Sequence, residues 1–325
     1  MNLKSFRFCR EDFYIFIPSP GTNFVFMIRH ILKFPNFLIL SFLLSSCEKD
    51  INIKLNPTIT DLVVDGAIES AKFPVITLST SLGYFSRIDP HVLSEHFVHG
   101  ANVTMSNGKI TAKLYEDSVR NDSSGILIYY YTFNRADSTQ SFYGEFNTQY
   151  DLKIVVANKT YTATTTIPAL LKLIDSIWWA PVPDPKDSNY VNVKARITDP
   201  PGFGNYTRYY TSVNSAPFLP GLNSVFDDQI TDGTTYSVNI PQGVNRNNKI
   251  DTETYGFFQK GSAVIVKFAN IDQGTYNFWR TMEYNYSSLG NPFSTPTEVI
   301  SNISNGALGY FGGYANQFKF LTIPF

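Results

Sequence analysis

The 325-residue sequence carries 26 Lys and Arg against 27 Asp and Glu, a formal net charge of −1, with no block of basic residues. Nucleic-acid binding needs clustered Lys and Arg to neutralise phosphate, so that class of partner is excluded. Cys9 and Cys47 are the two cysteines, which leaves the chain beyond Cys47 without a disulfide, a thiolate metal site or a cysteine nucleophile.

Residues 1–26 include Glu11, Asp12, Pro18, Pro20 and Gly21, poor company for a positive leader. Translation is therefore expected to start at Met27, with 1–26 a mistaken extension. Residues 27–46 read as a signal peptide. Arg29 and Lys33 precede an apolar run from Phe37 to Leu44. That run is far short of the roughly 20 residues of a spanning helix and suits the about 7–15 residues of a secretory core. It ends on Leu44-Ser45-Ser46-Cys47, which resembles a bacterial lipobox. Small residues let a peptidase close on the extended backbone, and the thiol accepts diacylglycerol. One acyl chain anchors marginally, at about 0.8 kcal/mol per buried CH₂, so the several chains of a lipoprotein make attachment durable. Cys47 is thus the expected lipid attachment, and residues 47–57, closed by Pro57, a tether. The charges Glu48, Lys49 and Asp50 resemble a surface-export signal. They point to the outer membrane facing the exterior, with a periplasm-facing orientation as the alternative.

From Asp61 the pattern has period two. "LVVDGAIES", "VITLSTS", "ANVTMSNGKITAKLYED", "GILIYYYTF" and "YDLKIVVANKTYTATTTIP" are strand-like runs separated by turn residues. Asn107-Gly108 marks a hairpin because both residues tolerate positive φ, and Asn158-Lys159 marks a second. Tyr150, at the head of "YDLKIVV", sits where a tyrosine corner of a Greek-key sandwich would tie down a loop. Residues 58–170 read as an Ig-like β-sandwich. The 20 Tyr and 27 Phe fit pleated, half-buried surfaces before they argue for a binding face.

Residues 171–325 read as a second β-rich domain. Ile174, Ile177, Trp178 and Trp179 enter a strand, and "SNYVNVKARITDP", "NYTRYYTSVNS", "TTYSVNI" and "GSAVIVKFANI" follow. One helix is predicted near 274–287, capped by Asp272, with Trp279 and Met282 on one face. "ALGYFGGYANQFKFLTI" returns to strand. The fold class expected is mainly β: two β-sandwich-like domains with one short helix in the second.

Several of these stretches carry a family resemblance: "LVVDGAIE", "YDLKIVV" with "YTATTTIP", "ITDPPGFGNYTRYY", "FDDQITDG", and "IDQGTYNFWRTMEYNYSSLGNPFSTPTEVISNISNGALGYFGGY". From Cys47 onward the chain resembles a Bacteroidota surface lipoprotein family, domain of unknown function 4249. The resemblance implies company more than chemistry, since similar genes neighbour TonB-dependent outer-membrane transporters. It supplies no catalytic residues.

Three constellations invite a site. His91, His96 and His99, with Asp89 and Glu95, have metal-ligating chemistry, but their spacing matches no zinc motif and the segment reads first as a solvated loop. Asp227, Asp228 and Asp232 beside Gly233 offer hard oxygens, yet they lack the calcium-loop pattern and read first as turn caps. Gly309, Gly312 and Gly313 are followed by strand rather than helix, so bulges or close strand contact replace a phosphate cradle. Asn291, Pro292 and Phe293, with Asn302, are expected to buttress that region. No catalytic set, cofactor or metal is expected. The expectation is a non-enzymatic accessory or ligand-binding partner of a TonB-dependent receptor, holding an unknown nutrient ligand. The alternatives are a surface hydrolase of glycans or peptides, whose paired carboxylates only the fold would bring together, and an envelope assembly or adhesion protein.

Overall fold

The computed structural model describes residues 61–82, 95–121, 125–136, 140–182, 189–251, 253–288, 294–295 and 297–325. Cys47, the leader, the tether, His91 and Asn291, Pro292 and Phe293 lie outside them. Strands β1 (Leu62–Glu69), β2 (Val75–Thr80), β3 (Asn102–Ser106), β4 (Thr111–Arg120), β5 (Leu127–Thr132), β6 (Thr148–Val156) and β7 (Lys159–Ile167) come first. Each turns alternate residues inward. Val64 and Ile68, Ile76 and Leu78, Val103 and Met105, and Leu152 and Ile154 are all buried in one core.

Strand β4 serves both layers of that core. Thr111–Leu114 pair with β3, whereas Tyr115–Arg120 pair with β5. The predicted hairpins form, with turn chemistry that differs in detail. Gly108 takes positive φ, and Asn107 acts through its side chain, whose Oδ1 accepts from the amides of Lys109 and Ile110. The β6–β7 turn falls on Ala157 and Asn158, both at positive φ, one residue earlier than the spacing indicated.

Strands β8 (Leu173–Pro181), β9 (Tyr190–Thr198), β10 (Tyr206–Val213), β11 (Leu219–Phe226), β12 (Thr235–Asn239), β13 (Phe258–Gln259), β14 (Ala263–Ile271) and β15 (Leu308–Thr322) complete the structure with the helix α1 (Gln273–Ser288). Residue 170 marks a change of sheet rather than a break between bodies. Strand β15 lies parallel to β1, from Val63↔Leu308 to Glu69↔Tyr314, and antiparallel to β14. One sheet therefore runs β11-β10-β14-β15-β1-β2-β5-β4-β3-β6-β7. Ile303, Ala307, Phe311 and Ala315 join the first core, and Thr58–Phe325 form one compact unit.

The smaller sheet, β8, β9, β12 and β13, packs Val191, Val193, Ala195 and Ile197 onto Tyr209, Val264, Val266 and Phe268 of the large one. Helix α1 covers the opposite face, where Tyr276 and Phe278 meet Ala269, Ile271, Tyr310 and Tyr314. Burial on both faces explains why β14 has lost clean alternation. Asp272 caps the helix as expected: its Oδ1 accepts from the Thr275 amide at 2.8 Å. Its Oδ2 accepts from the Thr165 hydroxyl and the Thr166 amide, tying the helix to β7. The fold is mainly β and β-sandwich-like.

Candidate functional site

The sheet face that α1 buries continues beyond the helix. Pairing registers carry it from Tyr310 and Tyr314 of β15 to Asp65 and Glu69 of β1, then to Thr77 of β2. Over β2, β5 and β4 it opens into a groove of about 1040 Å³. The same alternation that buries Ala112 and Leu114 turns Tyr115, Asp117 and Val119 outward, opposite Thr132, Tyr130 and Ile128. Tyr115 is 49% exposed.

The rim is built from aromatic rings rooted in the core. Tyr143, 58% exposed, stacks on Phe73 with centroids 4.4 Å apart and planes 13° from parallel. Phe73 meets Phe133 edge-on at 5.9 Å, Phe133 meets Phe142 at 4.6 Å, and Phe142 stacks on Tyr150 at 5.9 Å. The fully buried Tyr150 accepts the Glu145 amide on its hydroxyl at 2.7 Å. Burial holds that phenol above its ordinary pKa, so it stays protonated. The backbone closes the other side: the Gly144 amide donates to Lys72 O and the Ala71 amide to Gly144 O. Tyr143 is thus presented on a fixed loop, with one ring face occupied by Phe73.

Charges in the groove are largely matched. Lys72 pairs with Glu69 at 2.7 Å, and Glu69 also takes Lys267 at 2.5 Å. Burial alone would raise the Glu69 carboxyl, but the two ammonium groups outweigh it and hold the pKa below normal. For Lys267 burial wins over Glu69, and its pKa is lowered. On the floor, Asp117 accepts the Tyr130 hydroxyl at 3.2 Å, and burial followed by that carboxylate raises the Tyr130 pKa. The neighbouring Glu116 holds His99 at 2.5 Å, the Gly100 amide and the Tyr131 hydroxyl. Arg135 has no ion pair among the described residues.

Glu69 gives a pH test with a definite sign. Its folded pKa lies below the unfolded 4.5, so its contribution is complete above about pH 4.5 and drains away as pH falls through the folded value. Thermal melts between pH 6 and 3 should show stability falling on acidification, with a shallower fall in Glu69→Gln. An unchanged slope in that variant would rule the carboxylate out as a source.

The other sequence candidates go to separate partners. His96 Nδ1 meets the Thr80 hydroxyl at 2.6 Å, while His99 meets Glu116 and packs edge-on to Tyr129. Asp227 accepts the Tyr276 hydroxyl, Asp228 the Asn205 amide, and Asp232 the Gly202 amide. Burial would raise the Asp228 carboxyl, but the Asn205 and Gly204 amides hold it below normal. Among the described residues no three His, Cys, Asp or Glu side chains gather where they could hold a metal ion.

The glycines serve close strand contact. Gly309 sits at φ +92°, where an added Cβ would collide with the Val64 carbonyl, and a Cβ on Gly313 would lie 2.5 Å from Thr166 O. One on Gly312 would lie 2.9 Å from Thr275. Asn302 buttresses the same strand, exchanging two hydrogen bonds with the Phe311 backbone. Sequence reading did not single out Phe73, Tyr115 or Tyr143. The only signal was aromatic residues at outward positions of "KLYEDSV" and "GILIYYYTF".

This architecture defines a class: a β-sandwich-like protein with an open aromatic face beside a helix-covered one. The family model described as domain of unknown function (DUF4249) matches residues 48–319. The chain belongs to that family. No curated protein matches it. Among the described residues no helix is long and apolar enough to cross a membrane.

Proposed function

We propose that this chain is a non-enzymatic surface lipoprotein of the outer membrane. Held through Cys47, it captures a nutrient ligand on the β2–β5–β4 groove beside a TonB-dependent transporter. The observation that carries the binding reading is the Tyr143–Phe73 platform, fixed before any ligand arrives by Tyr150 and the 71–72/144 backbone bridges. Preorganised contact surface keeps the entropic cost of binding low. Hydrolysis of glycans asks for two carboxyl groups flanking one bond. Here the two carboxylates that line the groove, Glu116 and Asp117, are adjacent on β4. Each is already engaged, Glu116 by His99, Gly100 and Tyr131 and Asp117 by Tyr130, which favours capture over cleavage.

The tether reading rests on Leu44-Ser45-Ser46-Cys47. Attachment raises the local concentration beside a receptor, so weak contacts stay occupied. Mild detergent extraction followed by affinity capture of the chain should recover a TonB-dependent receptor in stoichiometric amount. Cys47→Ser should abolish labelling by a clickable fatty acid and move the protein out of the membrane fraction. Recovery without any such receptor would defeat the partnership, and unchanged labelling in Cys47→Ser would defeat the anchor.

A further inference from the structure

We infer that the groove takes a neutral, extended oligosaccharide, a reading that rests on its assignment as a ligand-binding face. Its volume, about 1040 Å³, lies at the top of the roughly 300–1,000 Å³ typical of small-molecule pockets and suits a chain of several units.

One way an extended peptide binds a sheet is by adding a strand to an open edge. On this floor β4 pairs with β5 over six residues and β1 with β2 over six, while β2 and β5 meet at the single pair Ile76↔Tyr131, inside one sheet. An occupant lying across this face meets chiefly the side chains that line it.

Those side chains alternate ring faces with groups that donate and accept. The ring of Tyr143, backed by Phe73, and the exposed ring of Tyr115 offer the electron-rich faces that C–H bonds approach. Asp117, Asn134 and Arg135 stand beside them, planar groups whose paired atoms match two adjacent hydroxyls. A pyranose has this duality, with an apolar C–H face and a hydroxyl edge. Charge selects against acidic and basic polymers alike. Both signs line it, Lys72 and Arg135 against Glu116 and Asp117, with Glu69 shared between Lys72 and Lys267, so no single-sign field favours a charged polymer.

The test uses the full chain in mild detergent. Calorimetric titration would employ cellohexaose, mannohexaose and xylohexaose, with an oligogalacturonate and a capped Ala-Leu hexapeptide as controls. At least one neutral hexasaccharide is expected to bind. Tyr143→Ala and Tyr115→Ala should each weaken it about tenfold, a loss of the size of one aromatic contact. Tyr143→Phe, which keeps the ring, should bind within about twofold of the parent. Circular dichroism melts would verify that each variant folds, and both tyrosines are exposed enough for truncation to leave the core intact.

Binding of the peptide or the oligogalacturonate in place of the neutral sugars, lost in the same two variants, would overturn the sugar assignment and leave the groove as the binding face. Ligand binding indifferent to both variants, or no binding by any probe, would overturn the sugar and the groove together.

Discussion

Lys172→Met and Asp199→Asn are each expected to cost about 3–5 kcal/mol of stability, the range for leaving one member of a buried ion pair alone. Both side chains are fully buried, with Nζ and Oδ2 2.7 Å apart. Thr231 completes the cluster: its hydroxyl donates to Asp199 at 2.9 Å and accepts from Lys172 at 3.3 Å. The Lys172 backbone is clasped by the Asn270 side chain through two hydrogen bonds of 2.9 Å. The cluster thus joins the approach to β8, the end of β9, the turn at 231 and strand β14. Asp199 Oδ1 has no hydrogen-bond partner among the described residues, so the pair is incompletely satisfied. The double variant should consequently lose much less than the two singles combined. Urea unfolding of the four proteins measures this directly, and additive losses would show that the charges are not coupled.

Gly309→Ala is expected to be at least as severe, with a loss of about 3 kcal/mol or more. Its backbone is at φ +92°, and an added methyl group would collide with the Val64 carbonyl, the partner across the parallel β1–β15 ladder. Gly306→Ala separates the two causes. Gly306 has φ +76° with no atom within 4 Å of the added carbon, so it should suffer backbone strain alone, roughly 1–2 kcal/mol. Thermal denaturation of the two variants settles the matter. Equal losses would mean that close approach of the strands contributes nothing.

Much of the local structure was legible in the sequence. Alternation located the strands, because a half-buried strand must show its period to solvent. The cap at Asp272 located α1, and the register of "YDLKIVV" singled out Tyr150, whose hydroxyl holds the loop at Glu145. The partner of each strand was not legible. "LVVDGAIE" carries the same pattern whether its neighbour is 10 or 250 residues away, so the β1–β15 pairing and the single large sheet escaped. The groove escaped for the same reason. Tyr115 and Tyr143 look like any wet-face tyrosines until the sheet shows that α1 covers one half of the face and leaves the other half open. The aspartate cluster read first as turn caps, and Asp228 and Asp232 do accept backbone amides. Asp227, Asp228 and Asp232 are close along the chain, yet each carboxylate turns to a different donor.

Placing β15 between β1 and β14 has a cost during synthesis. As the ribosome proceeds from the amino end, Leu62–Glu69 carry an open hydrogen-bonding flank until residues 308–322 have been translated. The first core also waits for Phe311 and Ala315, and pairing across such a separation is slow. Until then that flank is open to pairing with other strands. A late nonsense mutation that removed only the final strand would release an adhesive product with a bare sheet edge, prone to join its own copies.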